Sequence, residues 1–407
     1  MTLPYVVYSW ILASIGWLLL IWFVTRFPNR HAAMRPWLLA MVVLSMAASV
    51  ATTDVLSDDA LRYRWDGHMV AHGVNPYDAA PADTSMQRLA VTDSVNGIRY
   101  PDAVTYPQIR TIYPPGAQLL TGSVTWIAGV EVLPWKVVWF TIVAILIAAA
   151  LRLLWSDVSR STMLLSVLLC PTVVLHGFVD VHFDMVMALF VLLALIAMER
   201  RALTVFGVLF GIAVSIKYVV VLLLPFLLLS MSWRDRIRVA IATAATIIAI
   251  SAPFVSASMF DAFRSFATTW QSNAFLYRVL VQVVPEPGIR YLLGSLGIII
   301  GIIVLTRQRH RPIVAGTLTF LTLFIVSPVV HPWYLITPLL IAPFVLLRTS
   351  IVWGATVSLY GFAYMAYKGD GVWVEDTITL ALQVIPVVAA FAYDVVRGPI
   401  SDAVPDA

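Results

Sequence analysis

"VVWFTIVAILIAAAL", Val137–Leu151, decides the fold class. It runs without a charge between Lys136 and Arg152, and with its flanks it reaches the ~20 residues that a spanning helix needs. Hydrocarbon offers no partner to an exposed peptide group, so such a run crosses as a helix that closes its own hydrogen bonds. Met185–Ala197 and Ile241–Ala252 are equally free of charge. Of the 407 residues, 60% are hydrophobic and 12% charged, where a soluble chain is about a quarter charged. The strand alternation of an outer-membrane barrel is absent. The pattern predicts an all-α polytopic protein of the cell membrane.

Working outward, hydropathy predicts about 13 spans: 5–25, 36–53, 135–154, 161–177, 183–198, 202–216, 218–231, 237–254, 288–306, 312–329, 333–348, 350–367 and 375–396. Arginines at 26, 30, 35, 152, 160, 200, 201, 234, 236, 238, 307, 309 and 311 mark one side as cytoplasmic. Gly116–Val130 then has to be interfacial or re-entrant, because a crossing there would invert every later loop. The chain divides into an outer loop with interfacial helices at 54–134, a transmembrane core at 135–340, and C-terminal helices with a short acidic tail, expected to be disordered, at 341–407. All of these belong to one integral membrane domain, 1–407. Lys136, Lys217 and Lys368, the three lysines of the chain, all fall at the outer ends of helices. That placement runs against the positive-inside rule and suggests a bound anion.

Several chemistries are excluded. One cysteine, Cys170, permits no intrachain disulfide. Neither a G-x-x-x-x-G-K-[ST] nor a G-x-G-x-x-G run is present, so a soluble nucleotide donor is not expected. No Ser-His-Asp arrangement and no nucleic-acid-binding patch is found.

The first outer stretch, "SDDALRYRWDGHMVAHGVNPYDAAP" from Ser57 to Pro81, reads as a helix capped by Ser57, with Gly67, Gly73 and Asn75-Pro76 ending it. Asp58, Arg62 and Asp66 recur on one face, beside Asp59 and Tyr63. The stretch is either a salt-bridged interfacial helix or a site in which one carboxylate acts as base while an arginine holds an anion. In "TIYPPGAQLL" Tyr113 can anchor at headgroup level, and Pro114-Pro115 fix an extended entry to the interfacial segment. In "LHGFVDVHFDMVMALF", His176, Asp180 and Asp184 share helical spacing with His182 near them. The group is a polar turn or a functional cluster, and Asp184 is the hardest to dismiss because the apolar run Met185–Ala197 follows it. Lys217, alone in an apolar stretch, is read as a phosphate contact. His331 in "SPVVHPWYL" could donate to the same group, with Trp333 and Tyr334 as an interface belt. His68 and His72 have metal-ligand spacing but no third ligand near them, so no metal or other cofactor is expected, a divalent ion being the open alternative.

In order and spacing, "DDALRYRWDG…GVNPY", "YPP", "VDVHFD", the isolated lysine and "HPWY" resemble the GT-C superfamily of membrane glycosyltransferases over residues 54–340. The similarity is greatest to polyprenyl-phosphate-mannose-dependent enzymes of the glycosyltransferase family 87 kind, such as actinobacterial phosphatidylinositol-mannoside mannosyltransferases. The resemblance implies a GT-C-like fold and inverting transfer from a polyprenyl-phosphate sugar to a glycolipid or lipid-linked glycan, on the periplasmic or extracellular side of the bilayer. It implies Asp58 as base with Asp59 as its orienting partner, and Arg62, Lys217 and His331 on the donor phosphate. Asp66, Tyr63, His176, Asp180, His182, Asp184 and Tyr113 are then left to sugar or acceptor. A transporter or lipid flippase is the alternative; it calls for inverted repeats and mid-membrane charge, and neither is visible.

Overall fold

The computed structural model describes residues 3–52 and 56–402. Residues 53–55, where the outer loop begins, and 403–407 of the acidic tail lie outside the described residues. Among the described residues the chain is mostly helical, with two short antiparallel strand pairs and non-helical loops between the helices.

Among the described residues six helices are long and apolar enough to cross a membrane: Leu3–Arg26, Pro28–Val50, Val132–Leu154, Trp233–Phe254, Gly288–Arg307 and Thr377–Arg397. A seventh follows if Val158–Leu168 and the π-helical turn Val173–Val179, bent by 75° from it, count as one span. This fits a membrane protein, but six or seven is fewer than the 13 spans expected. Leu203–Ile216, Tyr218–Leu229 and Pro312–Val326 are apolar but short of ~20 residues. The expected span 333–348 is broken into Pro332–Leu335, Ile336–Leu340 and the strand Val345–Leu346. Pro332, Pro338 and Pro343 explain the break, since each removes a backbone donor.

Small residues set the helix packing. Leu203–Ile216 lies against Trp233–Ser251 through Gly207 and Gly211, where an added Cβ would meet the Val239 and Thr243 carbonyls at 2.9 Å. The outer-loop helix Asp59–Ala71 lies on Pro115–Ala128 in the same way. A Cβ at Gly67 would stand 2.5 Å from the Thr121 carbonyl oxygen, so Gly67 is a packing position inside the helix and not its end. The helix begins one turn position later than expected: Ser57 Oγ accepts from the Asp59 amide at 3.1 Å, and no side chain caps it at Asp58. Pro115–Ala128 is 14 residues long, short of the ~20 that a span needs.

Arginines gather at one end of the bundle. Arg35 donates to the Trp155 carbonyl at 2.7 Å, Arg200 to the Leu153 carbonyl at 2.6 Å, and Arg160 pairs with Glu199. Part of the tail is ordered there: Ser401–Asp402 pairs with Val345–Leu346, while Arg348 and Thr349 hold Asp394 in the neighbouring helix. The polar cluster described next sits at the opposite end.

Candidate active site

Asp59 opens the Asp59–Ala71 helix, where an acid suits the positive end of the helix dipole. Its side chain is 32% exposed and accepts from Tyr63 Oη at 3.3 Å. Desolvation pushes its carboxyl up to about 6, against the opposing pull of the Tyr113 hydroxyl, the Lys217 ammonium and Tyr63. Asp58 behaves differently. Its two oxygens take the Lys368 ammonium at 2.7 and 2.9 Å in a partly exposed pair.

Behind Asp59 stands an aromatic wall. Tyr63 packs on Phe183 at 4.4 Å and edge-on to Tyr113 at 5.3 Å; Tyr113 in turn meets Phe183 at 4.8 Å. The Tyr113 carbonyl accepts from Tyr77 Oη. Tyr113 is therefore built into the cluster instead of marking headgroup level. Lys217, at the break between Leu203–Ile216 and Tyr218–Leu223, donates to Asp184 Oδ1 at 2.5 Å and lies 3.9 Å over the Tyr334 ring. The lysine side chain keeps 19% exposure while Asp184 has 1%. His331 stacks on Trp333 at 4.5 Å and 6°, and its Nδ1 is 3.4 Å from Tyr360 Oη.

The expected site residues thus divide. Asp59, Tyr63, Tyr113, Lys217, Asp184 and His331 converge at one end of the bundle. Arg62 does not face outward: it donates to Asp66 Oδ1 at 2.8 Å and to the Ile109 carbonyl at 2.9 Å. Asp66 is buried as its counter-ion, with Gln118 near its other oxygen. His176, Asp180 and His182 have no accessible surface and sit behind the aromatic wall. A free sugar cannot touch them in this conformation.

The three lysines have protein partners, which revises the expectation that only a bound anion accounts for them. Lys136 donates to the Thr52 and Val179 carbonyls, Lys217 meets Asp184, and Lys368 meets Asp58. Trp333 is no lipid-facing belt residue, because it is sandwiched between His331 and His182, the latter at 3.8 Å. Tyr334 under Lys217 and Tyr360 beside His331 were missed as site residues. The first has a signal in "HPWY", while nothing in the sequence around Tyr360 distinguishes it. The His68 and His72 rings meet at 4.2 Å, tilted by 51°, but spend nitrogens on the Leu89 and His68 carbonyls.

Two surface cavities are present among the described residues. One of 310 Å³ is lined by Asp83, Gln108, Arg110 and Asp261; the other, of 220 Å³, includes Asn273, Tyr360 and Glu375. Only the second adjoins the cluster, through Tyr360.

Residues 2–233, more than half of the chain, match the family model described as alpha-(1->6)-mannopyranosyltransferase, N-terminal domain. No curated protein and no solved structure matches the chain. The matched region holds Asp58, Asp59, Tyr113, Asp184 and Lys217 and ends before His331.

Proposed function

The chain belongs to the alpha-(1->6)-mannopyranosyltransferase family, and from that premise we propose that it moves mannose from a polyprenyl-phosphate donor to a glycolipid or lipid-linked glycan at the outer face of the cell membrane. One observation carries the site assignment. Asp59 is a carboxylate with raised affinity for a proton, partly open, at the end of the bundle remote from the arginine loops.

Asp59, in preference to Asp58, is the general base. A base works best when its pKa lies near the working pH, and Asp58 is committed to Lys368. The acceptor hydroxyl gives its proton to Asp59 as its oxygen attacks the anomeric carbon. The bond from that carbon to the phosphate oxygen breaks on the opposite face, so the configuration inverts. Lys217 meets the charge that develops on the departing polyprenyl phosphate, which is electrostatic work in a poorly hydrated setting. Asp184 holds Lys217 in place, and His331 donates to the phosphate or sugar from the other wall. Arg62, locked to Asp66, braces the helix that presents Asp59. The polyprenyl tail stays in lipid. Charge collected at one end and not at mid-membrane supports this reading over transport.

The test is transfer of labelled mannose from polyprenyl-phosphate-mannose to an α-mannosyl glycolipid by the purified protein in nanodiscs. A labelled product that is lost in the Lys217→Met variant is expected. Movement of lipid or sugar across proteoliposome membranes, with no glycosylated product, would sink the proposal.

A further inference from the structure

We propose that His176, Asp180 and His182 form a binding site for one first-row divalent cation, with Zn2+ the best match, directly behind the candidate base. One ligand atom from each residue lies within 4.8 Å of the other two, and all three side chains are fully buried. Neither ring nitrogen of His176 has a hydrogen-bond partner, nor has Nε2 of His182. The His176 Nδ1 atom is 3.1 Å from Asp180 Oδ2, but without hydrogen-bond alignment.

A buried polar atom left unsatisfied costs about 1–3 kcal/mol. Two histidines left this way in one pocket therefore ask for a common partner that can take one nitrogen from each. A hydrogen bond between His176 and Asp180 would satisfy one of them, whereas a cation would take a lone pair from each histidine and from the carboxylate together. Two imidazoles with one carboxylate suit Zn2+ and its first-row neighbours, not Mg2+ or Ca2+. Metal–nitrogen bonds of ~2.0–2.1 Å place tetrahedral ligands about 3.3 Å apart, so ring rotation closes the remaining gap.

The backbone is unusual at these same residues. His176 lies on the π-helical turn Val173–Val179, a form often found at functional sites. Between the other two ligands, Val181 has φ +51°, a region that a β-branched residue avoids. The turn folds back so that the His182 amide donates to the His176 carbonyl at 2.9 Å. Trp10 and Trp333 close the pocket, at 5.2 and 5.5 Å from the His176 ring.

The site has a consequence for the base, and this part rests on the proposed function. His182 Nδ1 is 2.9 Å from Tyr63 Oη, which is 3.3 Å from Asp59. With Nε2 on the metal, Nδ1 carries the ring proton and donates to the Tyr63 oxygen. Tyr63 must then aim its own proton at Asp59, so the cation fixes the direction of the chain.

The experiment uses the full-length protein in detergent, purified through a tag without histidine, supplied with Zn2+ and desalted. Elemental analysis should find about one equivalent of zinc. Chelation should lower the melting temperature of the wild-type protein by several degrees, and Zn2+ should restore it. His176→Ala and Asp180→Asn should lose the bound zinc while still eluting as folded protein, and His68→Ala/His72→Ala should keep it. Wild-type protein with neither retained zinc nor a melting shift overturns the proposal. So do full zinc in both cluster variants and loss of zinc from the His68/His72 variant. Metal content is read without any sugar substrate, so failure of the transferase reading leaves it intact.

Discussion

Replacing Asp59 with asparagine keeps the shape of the side chain and removes its basicity. Positioned general bases contribute about 10²–10⁴-fold to rate, and a loss of that size is expected in Asp59→Asn. The wild-type pH profile gives a sharper measure. With burial holding the Asp59 carboxyl at about 6, only about a tenth is ionised at pH 5 and about nine tenths at pH 7. The base works as the carboxylate, so the rate must rise with pH through about 6 and level off above it. The predicted ratio between pH 7 and pH 5 is about tenfold, whereas an unshifted aspartate would change by less than about a tenth over that range. Lys217 helps to hold the carboxylate in its charged form, so Lys217→Gln should move the acid limb to higher pH in whatever activity remains. The assay is initial-rate transfer of labelled mannose in nanodiscs at fixed ionic strength, with melting curves at each pH to show that the fold persists. A flat profile between pH 5 and 7, or an Asp59→Asn variant within twofold of wild type, would refute the assignment.

Three further outcomes follow from other contacts. Asp58→Asn breaks a partly exposed pair with Lys368, so thermal or denaturant melting should shift by no more than about 1 kcal/mol, with transfer reduced far less than in Asp59→Asn. Lys217→Met strands Asp184 in a site with almost no water, and the cost should reach about 3–5 kcal/mol; Asp184→Asn in the same chain should recover much of it in a double-mutant cycle. Gly67→Ala forces a methyl onto the Thr121 carbonyl, so about 1–3 kcal/mol of destabilisation is expected, read as a lower melting temperature.

Membrane class, helical content and the sidedness of charge were legible because lipid acts on every residue of a span: hydropathy and arginine counts average over many positions. Helix breaks were not, because they depend on a few prolines and on whether neighbours take up the freed carbonyls. The segment 333–348 has the average apolarity of a span, yet three prolines turn it into short pieces. The candidate site shows the same divide. Spacing found His176, Asp180, His182 and Asp184, since ionisable groups stand out in apolar sequence. Spacing could not say which of them face the cleft. That depends on the turn at Val181 and on the aromatic wall of Tyr63, Tyr113 and Phe183, assembled from three distant stretches.

The pair Asp58-Asp59 shows why adjacency in sequence misleads most at a helix start. The resemblance puts the base on Asp58 with Asp59 as its partner, yet both acids are drawn to the same helix N-terminus. Successive residues on a helix point about 100° apart, so only one can face the cluster. Here the second does: Asp59 turns toward Tyr63 and Lys217, while Asp58 turns toward Lys368 at the rim. Both oxygens of Asp58 are taken by the Lys368 ammonium, so neither is free to accept from an acceptor hydroxyl. Asp59 has no such partner, and its burial raises its affinity for a proton. If the roles were reversed, Lys368→Met would free both oxygens of the base from their partner, and the rate and its pH profile would change with it. On the present assignment that limb stays at about 6, set by Asp59, when Lys368 is removed.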